Sequence, residues 1–150
     1  METDKKTAVL KQIGVIHSSY SEKKDAPFQG RHEMKEATIE LFEAYEPGLL
    51  DIERCTHLHV IYWQDKADRK TLQTKTPWGP DTHGVFSTRS PNRPNPIGMC
   101  VVDFLERNGR FLKVKGLDAL DGSPLIDIKP YSPAIDSFPD ARVGWRKEGK

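Results

Sequence analysis

Only two cysteines, Cys55 and Cys100, occur in 150 residues, and neither belongs to a Cys-x-x-Cys pair. That excludes a disulfide framework and a dithiol redox motif. Both read as small buried hydrophobes in a reducing compartment. The five histidines lack zinc-type spacing, so no metal is expected. His57 and His59 share one strand face, but core or interface positions are the better reading. No Gly-x-Gly-x-x-Gly follows a strand and no Gly-x-x-x-x-Gly-Lys-[Ser/Thr] occurs, which excludes nucleotide binding in the Rossmann or P-loop manner. No apolar run reaches membrane length, and Met1–Thr7 is polar with no apolar stretch after it. A cytoplasmic location without a membrane partner is expected. An excess of charge of either sign is also missing. With 23 Lys+Arg against 22 Asp+Glu the net charge is +1, which neither predicts nor excludes a nucleic-acid partner.

What is present reads as one small β-rich unit. The length fits one domain. It is expected to span residues 1–150, with a core over about 9–140 and a basic tail over 141–150 that carries Arg142, Arg146, Lys147 and Lys150. Strands are expected over Ala8–Ile16, Ala37–Phe42, His57–Trp63, Gly84–Thr88, Ile97–Leu105 and Leu125–Ile128, from β-branched or alternating apolar residues. Asn108-Gly109 between VVDFLE and FLKVKG signals a hairpin. Pro47-Gly48 leads into one or two helical turns at Leu49–Ile52. Lys66–His83 reads as a long loop, and the tail from Ser132 as irregular. Arg89–Pro96, with Pro91, Pro94 and Pro96, can be neither helix nor central strand. Short strands without β-α-β alternation point to a β barrel or sandwich with one or two short helices.

Three segments can carry chemistry. Gly84–Met99, GVFSTRSPNRPNPIGM, is stiffened by its prolines and holds Arg89 and Arg93 in place at little entropic cost. Their guanidinium forks suit carboxylate or phosphate, although a solvated surface turn explains them equally well. Gly116–Tyr131, GLDALDGSPLIDIKPY, carries Asp118, Asp121 and Asp127. Asp121-Gly122 makes a turn pair, and Asp118 sits between apolar Leu117 and Ala119. Such a carboxylate set can pair with a cationic ligand. Ala26–Arg31, APFQGR, offers Gln29 for hydrogen bonding and Phe28 for stacking on a base, though alone it reads as a plain loop.

The segments GVFSTRSPNRPNPIGM and LDALDGSPLIDIKPY together resemble the TsaA-like (YaeB, TrmO) family. With the opening IGVIHSSY, the resemblance runs from about Ile13 to about Asp140. It implies a mainly β fold: a single small β-barrel domain, a non-Rossmann methyltransferase that uses S-adenosyl-L-methionine. It further implies a homodimer that methylates N6 of threonylcarbamoyladenosine at position 37, in the anticodon loop of tRNA. Carried over by position, the cofactor would meet Phe28, Gln29, Gly30, Gln64, Asp65, Arg89, Gly98, Met99 and the stretch Asp118, Ala119, Leu120, Asp121. Ser123 stands where the family usually has threonine, and His83 where it often has a basic residue. Bacterial members often carry a further C-terminal domain, implicated in tRNA contact.

The mechanism expected from this resemblance is an in-line methyl transfer to a urea-like nitrogen. Its delocalised lone pair makes a base useful. Asp121 and Asp127 are the candidate bases, with Tyr131 as an orienting hydroxyl. Arg93, Asn95 and Lys129 are the candidate substrate contacts, with Arg93 meeting the threonyl carboxylate. Two alternatives stay open: a methyltransferase of the same fold with another substrate, and a non-catalytic RNA-binding barrel.

Overall fold

The computed structural model describes residues 5–27 and 29–146; Phe28, and Lys147 and Lys150 of the basic tail, lie outside the described residues. Eight strands follow in chain order: β1 (Gly14–His17), β2 (Glu36–Leu41), β3 (His57–Trp63), β4 (Gln73–Thr76), β5 (Gly79–Gly84), β6 (Ile97–Asn108), β7 (Phe111–Lys115) and β8 (Pro124–Pro130). One helical turn, α1 (Pro133–Asp136), comes after them. Strands β1, β2, β7, β6, β3 and β8 close in that order into an antiparallel barrel. Closure leaves no free edge in this sheet. The β-barrel expected from the resemblance is thus the fold observed.

Alternation builds the interior. Ala37, Ile39 and Leu41 of β2 point inward, as do Leu58, Val60 and Tyr62 of β3 and Leu112 and Val114 of β7. Each fully buried aliphatic side chain contributes roughly 1.5–3 kcal/mol. Leu49 plugs the core from a 3-10 segment, Glu43–Leu49, and Leu117 and Ala119 from the loop after β7. β6 offers no side chain at Gly98, where Tyr62 lies directly across the ladder. The Tyr62 ring fills that gap, so a Cβ on Gly98 would collide with it.

Four expectations need correction. β1 begins at Gly14, not Ala8, because pairing to β2 and β8 begins there; Val9 is left 91% exposed. Gly84–Thr88 is not a strand: Gly84 ends β5, and Val85–Ser87 is a 3-10 turn whose Val85 is buried. The long loop over Lys66–His83 contains most of the β4–β5 ribbon. A solvated two-stranded ribbon shows no apolar alternation, so the usual signal is missing. Finally, the tail is not wholly irregular, since α1 forms on Pro133 at its first turn. Among the described residues no helix is long and apolar enough to cross a membrane.

Gly98→Ala tests the ring-over-glycine contact. It is expected to lower unfolding free energy by about 1–3 kcal/mol, the usual cost of overpacking. Gly79→Ala, where a new Cβ meets open space, is the control and should change it by less than about 0.5 kcal/mol. Urea denaturation of both variants measures the difference.

Candidate functional site

The loop between β5 and β6 is held by its own Arg93 and by Arg69 and Trp145 from outside it. Arg93 Nη2 donates to Val85 O at 2.6 Å, and its Nη1 to Thr88 O and Ser90 O, each at 3.1 Å. Arg69 Nε donates to Pro94 O at 2.8 Å and its Nη2 to Asn95 Oδ1 at 3.3 Å, while its guanidinium lies over the Trp63 ring. Trp145 stacks on His83 at 4.1 Å and donates Nε1–H to Ser87 O at 2.9 Å. Arg89 takes no part in this scaffold. Its Nη1 reaches Gln29 Oε1 at 3.4 Å, a long contact that leaves most of the fork available.

Opposite Arg89, two backbones touch. Gly30 lies so close to the Gly116 carbonyl that a Cβ could not fit, and Gly116 itself has φ +90°. Cys100 Sγ donates to that same carbonyl at 3.2 Å. Tyr62 Oη–H donates to Asp118 Oδ1 at 2.8 Å. Burial raises the Asp118 pKa above the ordinary aspartate value of 3.8, against the lowering effects of Tyr62, Cys100 and, more weakly, Arg89. Burial and the Asp118 charge push the Cys100 thiol up to about 12, so it stays protonated and inert. Tyr62 is raised too, by burial first and Asp118 second. Among the described residues no cation forms an ion pair with Asp118.

A cleft of about 320 Å³ opens here, lined by Gln29, Gly30, Arg31, His57, Arg89, Cys100, Val101 and Tyr131. His57 is oriented by two partners: Asp103 Oδ1 at 3.1 Å from Nε2 and Thr56 Oγ1 at 2.9 Å from Nδ1. The Tyr131 ring lies 6.3 Å from that of His57 and 5.5 Å from that of His59. His59 in turn meets Asp136 of α1 at 3.2 Å.

The fold brings Gln29, Gly30, Arg89 and Tyr131 of the expected site to one cleft, with Asp118 behind Cys100. The other expected residues sit elsewhere. The Asp121 carboxylate accepts from Ser18 N at 3.0 Å, and Ser18 Oγ donates to Ala119 O at 2.8 Å. The stretch from Ala119 through Leu120 to Asp121 is thereby stitched to the loop after β1. Asp127 accepts from Ile128 N, pairs with Lys129 at 3.6 Å, and borders a different, largely apolar cleft of about 420 Å³ beside Leu49 and Cys55. Gly98 points inward beneath Tyr62, whereas Met99 faces out, 50% exposed. Gln64 N donates to Pro96 O at 2.8 Å, with exposed Asp65 beside it. Arg93 and Asn95 serve the loop, as described. Sequence reasoning missed Arg31, His57, Tyr62, Cys100 and Val101 as neighbours of the site. For Arg31 a signal existed, since it follows Gln29-Gly30 directly; for Tyr62 only the register reveals its place.

The family model for the tRNA-methyltransferase O N-terminal domain matches residues 15–137. The chain belongs to this family. It is 57% identical over 139 residues to a probable S-adenosyl-L-methionine-binding protein of Archaeoglobus fulgidus, covering 93% of this chain and 38% of that protein. It is 36% identical over 147 residues to the tRNA (adenine(37)-N6)-methyltransferase of Escherichia coli K12, covering 91% and 63%. The crystal structure of TrmO from Pseudomonas aeruginosa superposes with a TM-score of 0.80 at 31% identity, covering 93% and 63%. The chain spans less than two thirds of each of these three relatives.

In this member of the tRNA-methyltransferase O N-terminal family, the raised pKa of Asp118 has a thermodynamic consequence. The folded state holds that proton more tightly than the unfolded state. Asp118 therefore supports stability fully below the ordinary aspartate pKa of 3.8, and this support is lost as pH rises through the raised folded value. Asp118→Asn keeps an acceptor for Tyr62 and removes the buried charge. It is expected to need more urea to unfold than the parent at neutral pH, and to lose that advantage at about pH 3. Parallel urea titrations at the two pH values test the sign.

Proposed function

We propose that the chain binds S-adenosyl-L-methionine in the cleft at Arg89 and uses it to methylate N6 of adenosine 37 in tRNA. The acceptor in this reading is the threonylcarbamoyl form of that adenosine. One observation carries the proposal: a half-buried Asp118 carboxylate, in no ion pair among the described residues, stands behind a cleft whose front holds the Arg89 guanidinium. The ligand that suits such a pair carries positive and negative charge on one short chain. S-adenosyl-L-methionine has a sulfonium and an α-amine for Asp118 and a carboxylate for Arg89. The names of the relatives, one S-adenosyl-L-methionine-binding and one a tRNA (adenine(37)-N6)-methyltransferase, support the same reading.

When bound, the cofactor supplies a methyl group activated by a positive sulfur. The chain's own task is to hold donor and acceptor in line at about 3–3.5 Å. It does so with a loop that Arg93 and Arg69 make rigid. The acceptor nitrogen must also lose a proton. Of the groups lining the cleft, Cys100 stays protonated and a guanidinium has no lone pair to offer, which leaves His57 and Tyr131. Asp103 holds the Nε2 side of His57, so the proton would pass to Nδ1, which Thr56 Oγ1 must first release. Asp121 and Asp127, engaged elsewhere, are not needed as bases. Adenosine 37 lies in a single-stranded loop, so no duplex has to open. The reading includes a homodimer, supported by the apolar outer face of β6, where Ile97 and Met99 are 42% and 50% exposed. The reading also includes a cytoplasmic location, which action on tRNA supports.

Calorimetric titration with S-adenosyl-L-methionine tests the proposal. Micromolar binding is expected, weakened at least about tenfold (1.4 kcal/mol) by Arg89→Ala. Methyl transfer to tRNA is expected with the wild type. Binding of tRNA with no affinity for the cofactor would sink the enzyme reading in favour of a non-catalytic RNA-binding barrel.

A further inference from the structure

The cleft holds a second guanidinium that the reading above leaves without a task. Arg31 lies in the 3-10 turn Gly30–His32. Its backbone is fixed by His32 N–Gln29 O at 2.9 Å, Glu33 N–Gly30 O at 3.0 Å and the close approach of Gly30 to Gly116. Its side chain is exposed, lines the cleft, and makes no hydrogen bond or ion pair among the described residues. Of the other arginines, Arg93 and Arg69 brace the loop, and Arg89, with one long contact to Gln29, is the one assigned to the cofactor. Among the described residues no carboxylate lines the cleft. Two like charges in one confined space focus positive potential there and call for two anionic groups when the site is filled.

We infer that Arg31 is the subsite for the carboxylate at the end of the substrate's acyl-amino-acid arm, and so determines specificity for the modified base. The inference rests on the function proposed above. In that reading the cofactor brings one carboxylate, which Arg89 takes. The modified adenosine brings another, a few bonds from the nitrogen to be methylated. The planar fork of arginine meets a carboxylate with two parallel hydrogen bonds, which lysine does not reproduce. This role falls to Arg31 rather than Arg93, whose guanidinium is held by three backbone carbonyls. An adenosine lacking the arm leaves Arg31 unpaired, so discrimination is built into the cleft wall.

An RNA phosphate would offer Arg31 the same oxyanion chemistry, and the test separates the two sources. Full-length wild-type, Arg31→Gln and Arg31→Lys proteins are compared on tRNA with threonylcarbamoyladenosine and on the same tRNA with unmodified adenosine at that position. Transfer kinetics, tRNA affinity and S-adenosyl-L-methionine affinity are measured for each. Arg31→Gln is expected to raise KM for the modified tRNA roughly tenfold or more, with Arg31→Lys recovering part of the loss. Affinities for unmodified tRNA and for the cofactor should not change. An equal loss of affinity for both tRNAs would assign Arg31 to a phosphate and overturn the inference. A loss of cofactor affinity would assign it to the cofactor and do the same, as would wild-type kinetics in Arg31→Gln. If the wild type binds cofactor but methylates neither tRNA, the proposed function itself fails and takes this inference with it. A wild type active on the modified tRNA keeps the two failures apart.

Discussion

The cleft depends on a contact between two backbones. Where Gly30 meets the Gly116 carbonyl, nothing larger than hydrogen fits, and Gly116 turns with φ +90° to present that carbonyl. This contact brings the loop after β1 against the loop after β7. It sets Gln29 and Arg31 on one side and Cys100 with Asp118 on the other. A side chain at Gly30 would part the two segments, and one at Gly116 would strain its φ of +90° and press on Met34. The barrel supplies the fixed frame: Tyr62 reaches across the vacancy at Gly98 and tethers Asp118 from inside. The core thus ends in a polar group aimed at the site, and packing and chemistry share one residue.

A second layer of order comes from arginines bonded to the loop itself. Arg93 closes the proline-rich loop on itself through three carbonyls, and Arg69 ties its far end to Trp63. Proline fixes the backbone dihedrals, and guanidinium satisfies the carbonyls that a rigid, non-repetitive loop would otherwise leave to water. The β4–β5 ribbon and Trp145 brace the start of the same loop through His83 and Ser87. Arg89 is therefore presented from a scaffold already formed. Little ordering entropy remains to be lost when an anion arrives.

Much of this frame was legible in the sequence, because alternation is a local signal. β2, β3 and β7 show an apolar residue at every second position, and Asn108-Gly109 marks the turn between β6 and β7. Asp118 was legible as a carboxylate wedged between apolar neighbours. The β4–β5 ribbon was not, since none of its residues is fully buried and its sequence carries no apolar alternation. The role of Arg93 was misread for a different reason. Arginine in a stiff loop looks the same in sequence whether its fork faces a ligand or the loop's own carbonyls, and only the chain path decides. Asp127 shows the limit of reading by proximity. It lies near Asp118 along the chain, yet β8 carries it to the cleft beside Leu49 and Cys55.

The distribution of charge explains how one small cleft can suit ligands of both signs. Asp118 is set back behind Cys100 and bonded to Tyr62, where burial costs its anion enough to raise the pKa. A cation placed beside it would repay that desolvation, so the carboxylate is primed for positive charge. Arg89 and Arg31 stand at the exposed front, where solvation is cheap and anions arrive first. Had the carboxylate been at the front, it would have neutralised the arginines and repelled an RNA loop. Had an arginine been buried beside Asp118, the pair would have satisfied itself and left nothing for a ligand to complete. The raised pKa of Asp118 and the fork of Arg31, unpartnered among the described residues, are therefore two results of one arrangement, in which a glycine wall and a protonated thiol stand between opposite charges.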